Sequence, residues 1–123
     1  MSRTVLIVED DSANRFLMET VLSGEGYAVV SSIDGSDALD LARTHKPGVV
    51  LMDINLPKVK GTERIRQFKA DPELAHIPII AVTTQVMKGD EEDIRNSGCQ
   101  DYVSKPFEIS VLLAAIERLY FQG

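Results

Sequence analysis

The chain has 123 residues, 44% of them hydrophobic and 26% charged, which fits one globular domain with a solvated surface. Its formal net charge of −6 argues against a nucleic-acid partner, because neutralising phosphates takes clustered Lys and Arg. No apolar run approaches the roughly 20 residues that span a bilayer, and the N-terminus lacks the apolar stretch of a signal peptide. A single cysteine, Cys99, excludes an intrachain disulfide and fits a reducing compartment. We therefore expect a soluble, cytoplasmic protein without membrane insertion.

Short, β-branched apolar runs alternate along the chain with segments of helical spacing. The runs lie at 5–8, 28–30, 49–52, 79–82 and 102–103. Helices are predicted over 12–25, 36–45, 62–70, 90–96 and 110–119. In the first helix the predicted apolar stripe consists of Phe16, Leu17, Val21 and Leu22. The strongest runs do not alternate with polar residues, which is typical of parallel strands buried on both faces.

This alternation of strands and helices predicts an α/β fold, a doubly wound parallel sheet with helices on both sides. In such sheets the binding crevice lies beyond the carboxyl ends of the strands, at the point where the strand order reverses. We therefore expect the polar residues that follow the apolar runs to converge on one site.

Polar residues do follow four of the five runs. The first is followed by Glu9, Asp10 and Asp11, the third by Asp53, the fourth by Thr83 and the fifth by Lys105. Crowded carboxylates repel one another unless a cation neutralises them, and a hard divalent ion such as Mg²⁺ is the simplest partner. The acidic trio also has a purely structural interpretation as a helix start, for which Asp11 or Ser12 is suited.

Four motifs at the strand ends resemble those of the response-regulator receiver family. They read LIVEDD at the first strand, LMDINLP around Asp53, AVTT at the fourth strand and YVSKPF at the fifth. The resemblance extends from Val5 to about Leu119, and the spacings between the motifs fit as well. Residues 87–99, MKGDEEDIRNSGC, are most similar to DivK-type single-domain regulators, although receivers of hybrid histidine kinases look similar there.

The resemblance implies a topology and a domain boundary. The fold would be flavodoxin-like, or CheY-like, with five strands in the order 2-1-3-4-5 and five helices. Residues 1–119 would form the receiver domain. Residues 119–123, LYFQG, look like the remnant of a protease-cleavable expression tag, but Arg118 stands where that tag has Asn, so a native ending stays open.

The resemblance also implies a phosphorylation site with a metal. Asp53 would accept a phosphoryl group from a phosphohistidine on a sensor histidine kinase or a histidine phosphotransfer protein. Asp10 and Asp53 would bind Mg²⁺ through their carboxylates, with the backbone carbonyl of Asn55 as third ligand and Glu9 acting through metal-bound water. Mn²⁺ is expected to substitute for Mg²⁺.

Five further residues receive supporting roles from the resemblance. Lys105 would pair with the phosphoryl oxygens, Thr83 would donate a hydrogen bond to them, and Tyr102 would change orientation with phosphorylation. Pro106 would follow a cis peptide bond. Thr84 is bulkier than the Ala or Gly common at its position and is expected to slow hydrolysis of the phosphorylated state.

These roles predict a signalling switch in a two-component system or phosphorelay. The protein would not be an enzyme beyond self-catalysed phosphotransfer and slow autodephosphorylation. It would act on a downstream protein through the face formed by helix 4, strand 5 and helix 5, with a role in cell-cycle regulation if the DivK similarity extends to function. The residues 58–69 contain the densest basic region, which we interpret as a solvated helix face.

Three alternatives stay open at this point. The chain could be a receiver excised from a hybrid histidine kinase or a multidomain regulator. A Mg²⁺-dependent phosphohydrolase is disfavoured because Asn55 stands where such enzymes place a general acid two residues after the nucleophile. A flavodoxin-like FMN binder is disfavoured because the first loop is acidic and would repel the FMN phosphate.

Overall fold

The computed structural model describes residues 3–83, 88–106 and 108–120, and the side chains of 88–90 lie outside this description. The strands are β1 (Arg3–Val8), β2 (Tyr27–Ser32), β3 (Val49–Asp53), β4 (Ile79–Thr83) and β5 (Asp101–Ser104). The helices are α1 (Ser12–Gly24), α2 (Ala38–His45), α3 (Gly61–Ala70), α4 (Lys88–Asn96) and α5 (Ile109–Leu119). All ten predicted elements are present, with ends that shift by a few residues.

The five strands form one parallel sheet in the order β2-β1-β3-β4-β5, which confirms the predicted fold and topology. The strand order reverses between β1 and β3, so a crevice opens there beyond the carboxyl ends of the strands. The register pairs Val8 with Met52, Asp53 with Val82, and Thr83 with Ser104. The residues at the ends of four strands therefore lie almost level with one another.

Two apolar layers cover the sheet, one on each face. Alternate strand residues such as Val8 and Met52 pack with α2, α3 and α4, where Phe68 is fully buried. The intervening residues, such as Ile7 and Leu51, pack with α1 and α5. Burial on both faces explains why these strands read as continuous apolar runs in the sequence.

The predicted apolar stripe of α1 is only partly right. Leu22 is buried as expected, but Phe16 is 69% exposed and Leu17 is 41% exposed. The second anchor of α1 is Met18, which lies one turn before Leu22 on the same face. At 100° per residue, Phe16 lies on the opposite side of the helix from Met18, so its apolar side chain faces water.

Tyr120, the last described residue, packs against the amino-terminal ends of β1 and β2. The ring centroids of Tyr27 and Tyr120 are 5.9 Å apart, and the Arg3 guanidinium lies 4.4 Å from the Tyr27 centroid. Tyr120 belongs to the segment interpreted as a tag remnant, and the origin of that segment stays a prediction. Within the described part of the chain, no helix has the length and apolar character needed to cross a membrane.

The basic region of α3 differs from the predicted solvated face. Lys69 is half-buried, and its ammonium donates to the backbone carbonyls of Ala75 (3.2 Å) and Ile77 (2.8 Å). Arg66 pairs with Asp93 of α4 at 2.5 Å. The region therefore departs from the predicted solvated face at Lys69, while the Arg66–Asp93 pair stays partly exposed.

Candidate functional site

Three carboxylates meet at the carboxyl end of the sheet. Glu9 and Asp10 follow β1 directly, and Asp53 is the last residue of β3, the neighbouring strand. One carboxylate oxygen from each of the three lies within 4.8 Å of the others. Glu9 is fully buried and Asp53 is 3% exposed, whereas Asp10 faces solvent. The predicted convergence of acidic residues is present in the fold.

Asp11, the third acidic residue, serves the helix instead. Its Oδ1 accepts hydrogen bonds from the backbone N–H groups of Ala13 (2.9 Å) and Asn14 (3.1 Å), so it is the N-cap of α1. The structural interpretation of the acidic trio is therefore right for Asp11, while Glu9 and Asp10 belong to the carboxylate cluster.

The loop after β3 holds Asp53 in place. The Asn55 N–H donates to Asp53 Oδ1 at 3.0 Å, and the Gly61 N–H donates to the Ile54 carbonyl at 3.0 Å. A Cβ at position 61 would collide with the backbone of Asp53 and Ile54. Glycine at this position therefore lets the start of α3 lie directly against the backbone that carries the Asp53 carboxylate.

Lys105 brings the only ammonium group that contacts the cluster within the described residues. Its Nζ lies 2.6 Å from Glu9 Oε1 and 3.6 Å from Asp53 Oδ1, and its side chain is 8% exposed. The Lys105–Pro106 peptide bond is cis, as the resemblance implied. The Lys105 N–H also donates to the Thr83 carbonyl at 2.6 Å, which continues the β4–β5 ladder into the site.

Burial and neighbouring carboxylates raise the pKa of two acids in this cluster, Asp53 and Asp10. Burial, followed by the nearby Glu9 carboxylate, raises the pKa of Asp53 from 3.8 to about 6. The pKa of Asp10 is also raised, first by loss of solvent and then by the Asp53 carboxylate. Each of these carboxylates is therefore harder to ionise than an exposed aspartate.

The cluster is suited to a divalent cation. Three acids face one ammonium group, and apart from Lys105 neither carboxylate oxygen of Glu9 has a hydrogen-bond donor in the described residues. A buried anionic oxygen without a donor is costly, and a hard cation is the partner that relieves it. The donor set consists of oxygens alone, which fits Mg²⁺ or a similar ion.

The predicted switch residues occupy two different positions. Thr83 is buried at the end of β4 and lines a cavity of about 350 Å³ between α3 and α4, together with Asn55 and Ile94. The Tyr102 phenol instead donates to Glu91 Oε1 of α4 at 3.1 Å. Thr84, the residue predicted to slow hydrolysis, lies outside the described residues.

The sequence did not single out two residues that contact this region. The Arg15 guanidinium donates to the backbone carbonyl of Glu9, and Glu91 is the acceptor for Tyr102. A lone Arg or Glu on a helix has no distinguishing spacing, so one sequence carries no signal for either role. Gly61 carries only a weak signal, since a glycine marks places where two backbones approach closely but is also tolerated at the start of a helix.

Comparison with known proteins relates this geometry to a family. Residues 5–117 match the family described as the response regulator receiver domain. The polar-differentiation response regulator DivK of Brucella abortus is 46% identical over 117 residues, with 95% of each chain covered. DivK of Brucella melitensis has the same identity and coverage.

Solved structures give the same result. The receiver domain of a sensor histidine kinase from Pseudomonas aeruginosa has a TM-score of 0.89 and 32% identity, covering 97% of this chain and 98% of that one. That structure has a magnesium ion coordinated in its active-site cleft. The chemotaxis protein CheY4 of Vibrio cholerae has a TM-score of 0.90 and 26% identity, covering 97% and 99%.

Proposed function

Because this chain belongs to the response regulator receiver family, with DivK-like relatives, we propose that Asp53 is the acceptor in a Mg²⁺-dependent phosphotransfer. The observation that carries the proposal is the cluster itself. A buried aspartate stands at the strand-order reversal, within reach of two further carboxylates and one lysine. The donor is a phosphohistidine on a sensor histidine kinase or a histidine phosphotransfer protein.

In the transfer, an Asp53 carboxylate oxygen attacks phosphorus in line with the phosphohistidine. The new O–P bond forms as the N–P bond breaks, and the bonding pair leaves with the imidazole nitrogen. Asp53 is already oriented by the Asn55 N–H. Lys105, now closest to Glu9, is the cation available to the phosphoryl oxygens, and the Thr83 hydroxyl is the hydrogen-bond donor we assign to them.

Asp10, Asp53 and the backbone carbonyl of Asn55 are the ligands we assign to Mg²⁺, with Glu9 acting through bound water. When bound, the cation offsets the charge of the carboxylates and of the incoming phosphoryl oxygens. We expect Mn²⁺ to substitute, because the ligands are all oxygens. Self-catalysed phosphorylation by small acyl phosphates and slow autodephosphorylation follow from the same set of residues.

The switch we propose begins at Thr83 and Tyr102. Phosphorylation adds negative charge beside Thr83, and Tyr102 then leaves Glu91, which alters the face formed by α4, β5 and α5. A downstream protein binds this face, and no nucleic acid takes part. The proposal assumes a cytoplasmic protein, where histidine kinases form phosphohistidine from ATP. The DivK relatives are polar-differentiation regulators by name, and a related cell-cycle role is part of the proposal.

The test is incubation of the protein with acetyl phosphate and Mg²⁺, followed by intact-mass spectrometry. We expect one added phosphoryl group in wild type and none in Asp53→Asn, which keeps the shape of the side chain without its nucleophilic charge. Asp40→Asn, on the exposed surface of α2, is the matched control and should be phosphorylated like wild type.

Three results would count against the proposal. Phosphorylation of Asp53→Asn at wild-type stoichiometry would remove Asp53 as acceptor. Continuous release of phosphate from the donor, without an adduct on wild type, would indicate a phosphohydrolase instead. A wild-type adduct that needs neither Mg²⁺ nor Mn²⁺ would remove the metal from the reaction.

A further inference from the structure

We infer that Arg15 of α1 is a positioning residue for the cation site, because it holds the backbone of the loop that carries Glu9 and Asp10. This inference rests on the proposed function of that site. The Arg15 Nη1 lies 2.9 Å from the Glu9 carbonyl oxygen and 3.4 Å from that of Asp10. One guanidinium group therefore contacts two consecutive carbonyls of the acidic loop.

The acidic loop is fixed by three sets of contacts. The Glu9 N–H donates to the Ser32 carbonyl at 3.0 Å, which continues the β1–β2 ladder by one residue. Asp11 caps α1 through its side chain. Between these two ends, the Glu9 and Asp10 carbonyls are held by Arg15, one turn into the same helix.

The groups that Arg15 contacts distinguish between two roles for this residue. A guanidinium used only as a charge would lie beside a carboxylate, and its removal would make the site more negative. Removal would then tighten the binding of a divalent cation. Arg15 instead contacts backbone carbonyls, so its removal frees the loop, misplaces the Asp10 carboxylate and weakens cation binding. The two roles predict changes of opposite sign.

The conservative variant gives a second distinction. Arg15→Lys keeps the positive charge, but its side chain is one bond shorter than the path to Nη1, the atom that contacts both carbonyls. A positioning role predicts that Arg15→Lys recovers only part of the loss seen in Arg15→Ala. A charge role predicts that Arg15→Lys behaves like wild type.

The experiment measures Mg²⁺ affinity of the unphosphorylated protein by isothermal titration calorimetry. We expect the Kd of Arg15→Ala to rise by about tenfold, the lower end of the loss typical for a partner that orients a metal ligand. The initial rate of phosphorylation by acetyl phosphate should fall at limiting Mg²⁺ and approach the wild-type rate when Mg²⁺ saturates. Arg43→Ala, which removes an arginine from the surface of α2, should leave the Kd unchanged.

Each outcome decides the question. An unchanged or lower Kd in Arg15→Ala overturns the inference, and so does a lower thermal midpoint of the metal-free protein with an unchanged Kd, which means a structural role alone. If wild type itself binds no Mg²⁺, the proposed function fails and the inference fails with it. If wild type binds Mg²⁺ and is phosphorylated on Asp53 while Arg15→Ala matches it, only the inference fails.

Discussion

The strand-end site and the outer surface of α4 both depend on charged side chains, but in opposite environments. In the site, Glu9 and Asp53 are buried and share one ammonium group, that of Lys105. On the surface of α4 and the adjoining part of α3, acidic and basic side chains form partly exposed ion pairs, and the Tyr102 hydroxyl of β5 contacts one of the acids. We call these six residues the α4 network: Glu63, Arg66, Glu91, Asp93, Arg95 and Tyr102.

Charged groups therefore affect the stability of the folded protein more strongly in the strand-end site than in the α4 network. Buried charge without enough partners raises the free energy of the folded protein, and a ligand that supplies the missing charge recovers it. Exposed pairs exchange with water at small cost and contribute little. A cation that binds at the strand ends can therefore stabilise the folded protein substantially, while rearranging the α4 network costs little free energy.

The largest effect should come from removing Lys105, the only cation among the described residues that contacts the site. Lys105→Met keeps most of the length of the side chain and deletes its charge, which leaves two buried carboxylates without a cationic partner. We expect the free energy of unfolding to fall by about 3 kcal/mol at pH 7 without divalent cations. Urea denaturation in the presence of EDTA measures this loss.

The matched control for that variant lies in the α4 network. Arg95→Met also deletes a cation that pairs with an acid, but the Arg95 side chain is 67% exposed. We expect a much smaller loss of stability than for Lys105→Met. Equal losses in the two variants would contradict the contrast between buried and exposed charge.

The second effect is a gain of stability. Asp53 has a pKa of about 6 in the fold against 3.8 ordinarily, so between these values the folded state binds more protons than the unfolded state. Stability contributed by this group therefore falls as pH rises through that window. Asp53→Asn carries no charge, so in the metal-free protein we expect it to be more stable than wild type by up to about 3 kcal/mol at pH 7.

The pH dependence is the check on this gain. The gain in stability of Asp53→Asn over wild type should be absent near pH 3.5, grow between about pH 4 and pH 6, and stay constant above that range. Added Mg²⁺ should reduce it at pH 7, because the ion stabilises wild type but not the amide. A gain of the same size at every pH would mean that Asp53→Asn stabilises by packing and not by removing a buried charge.

The sequence predicted the positions of the site residues well, for a physical reason. A strand ends where its apolar run stops, so Glu9, Asp53, Thr83 and Lys105 could be assigned to the carboxyl end of the sheet from the apolar runs alone. Side-chain partners depend on rotamers and on neighbours distant in sequence. That Lys105 lies closer to Glu9 than to Asp53 was therefore not predictable.

The same limit explains the wrong assignment in α1. Phe16 and Leu17 are apolar and lie close in sequence to the buried Met18 and Leu22, so counting apolar residues could not identify the face that packs on the sheet. The choice depends on how α1 packs on the sheet, through contacts such as the hydrogen bond from Ser31 of β2 to Glu19. These contacts are tertiary and leave no periodic trace.

The smallest effect should come from the hydrogen bond between Tyr102 and Glu91. The phenol donates to a carboxylate at 3.1 Å in a partly buried position, so Tyr102→Phe should cost about 1 kcal/mol. Glu91→Gln weakens the same bond and also removes the charge paired with Arg95. A double-mutant cycle on the two positions isolates their coupling, which we expect to be below about 1.5 kcal/mol. It should exceed the coupling of Tyr102 with Glu117 of α5, whose charge acts on Tyr27 at the start of β2.

This coupling fixes how strongly α4 opposes the switch. If Tyr102 leaves Glu91 on phosphorylation, the cycle measured after treatment with acetyl phosphate and Mg²⁺ should lose most of its coupling, since the two side chains no longer meet. The same cycle measured in EDTA, without phosphorylation, should retain the coupling. Coupling of equal size in both states would mean that Tyr102 stays on α4 throughout, and the signal would then have to leave the site through Thr83 alone.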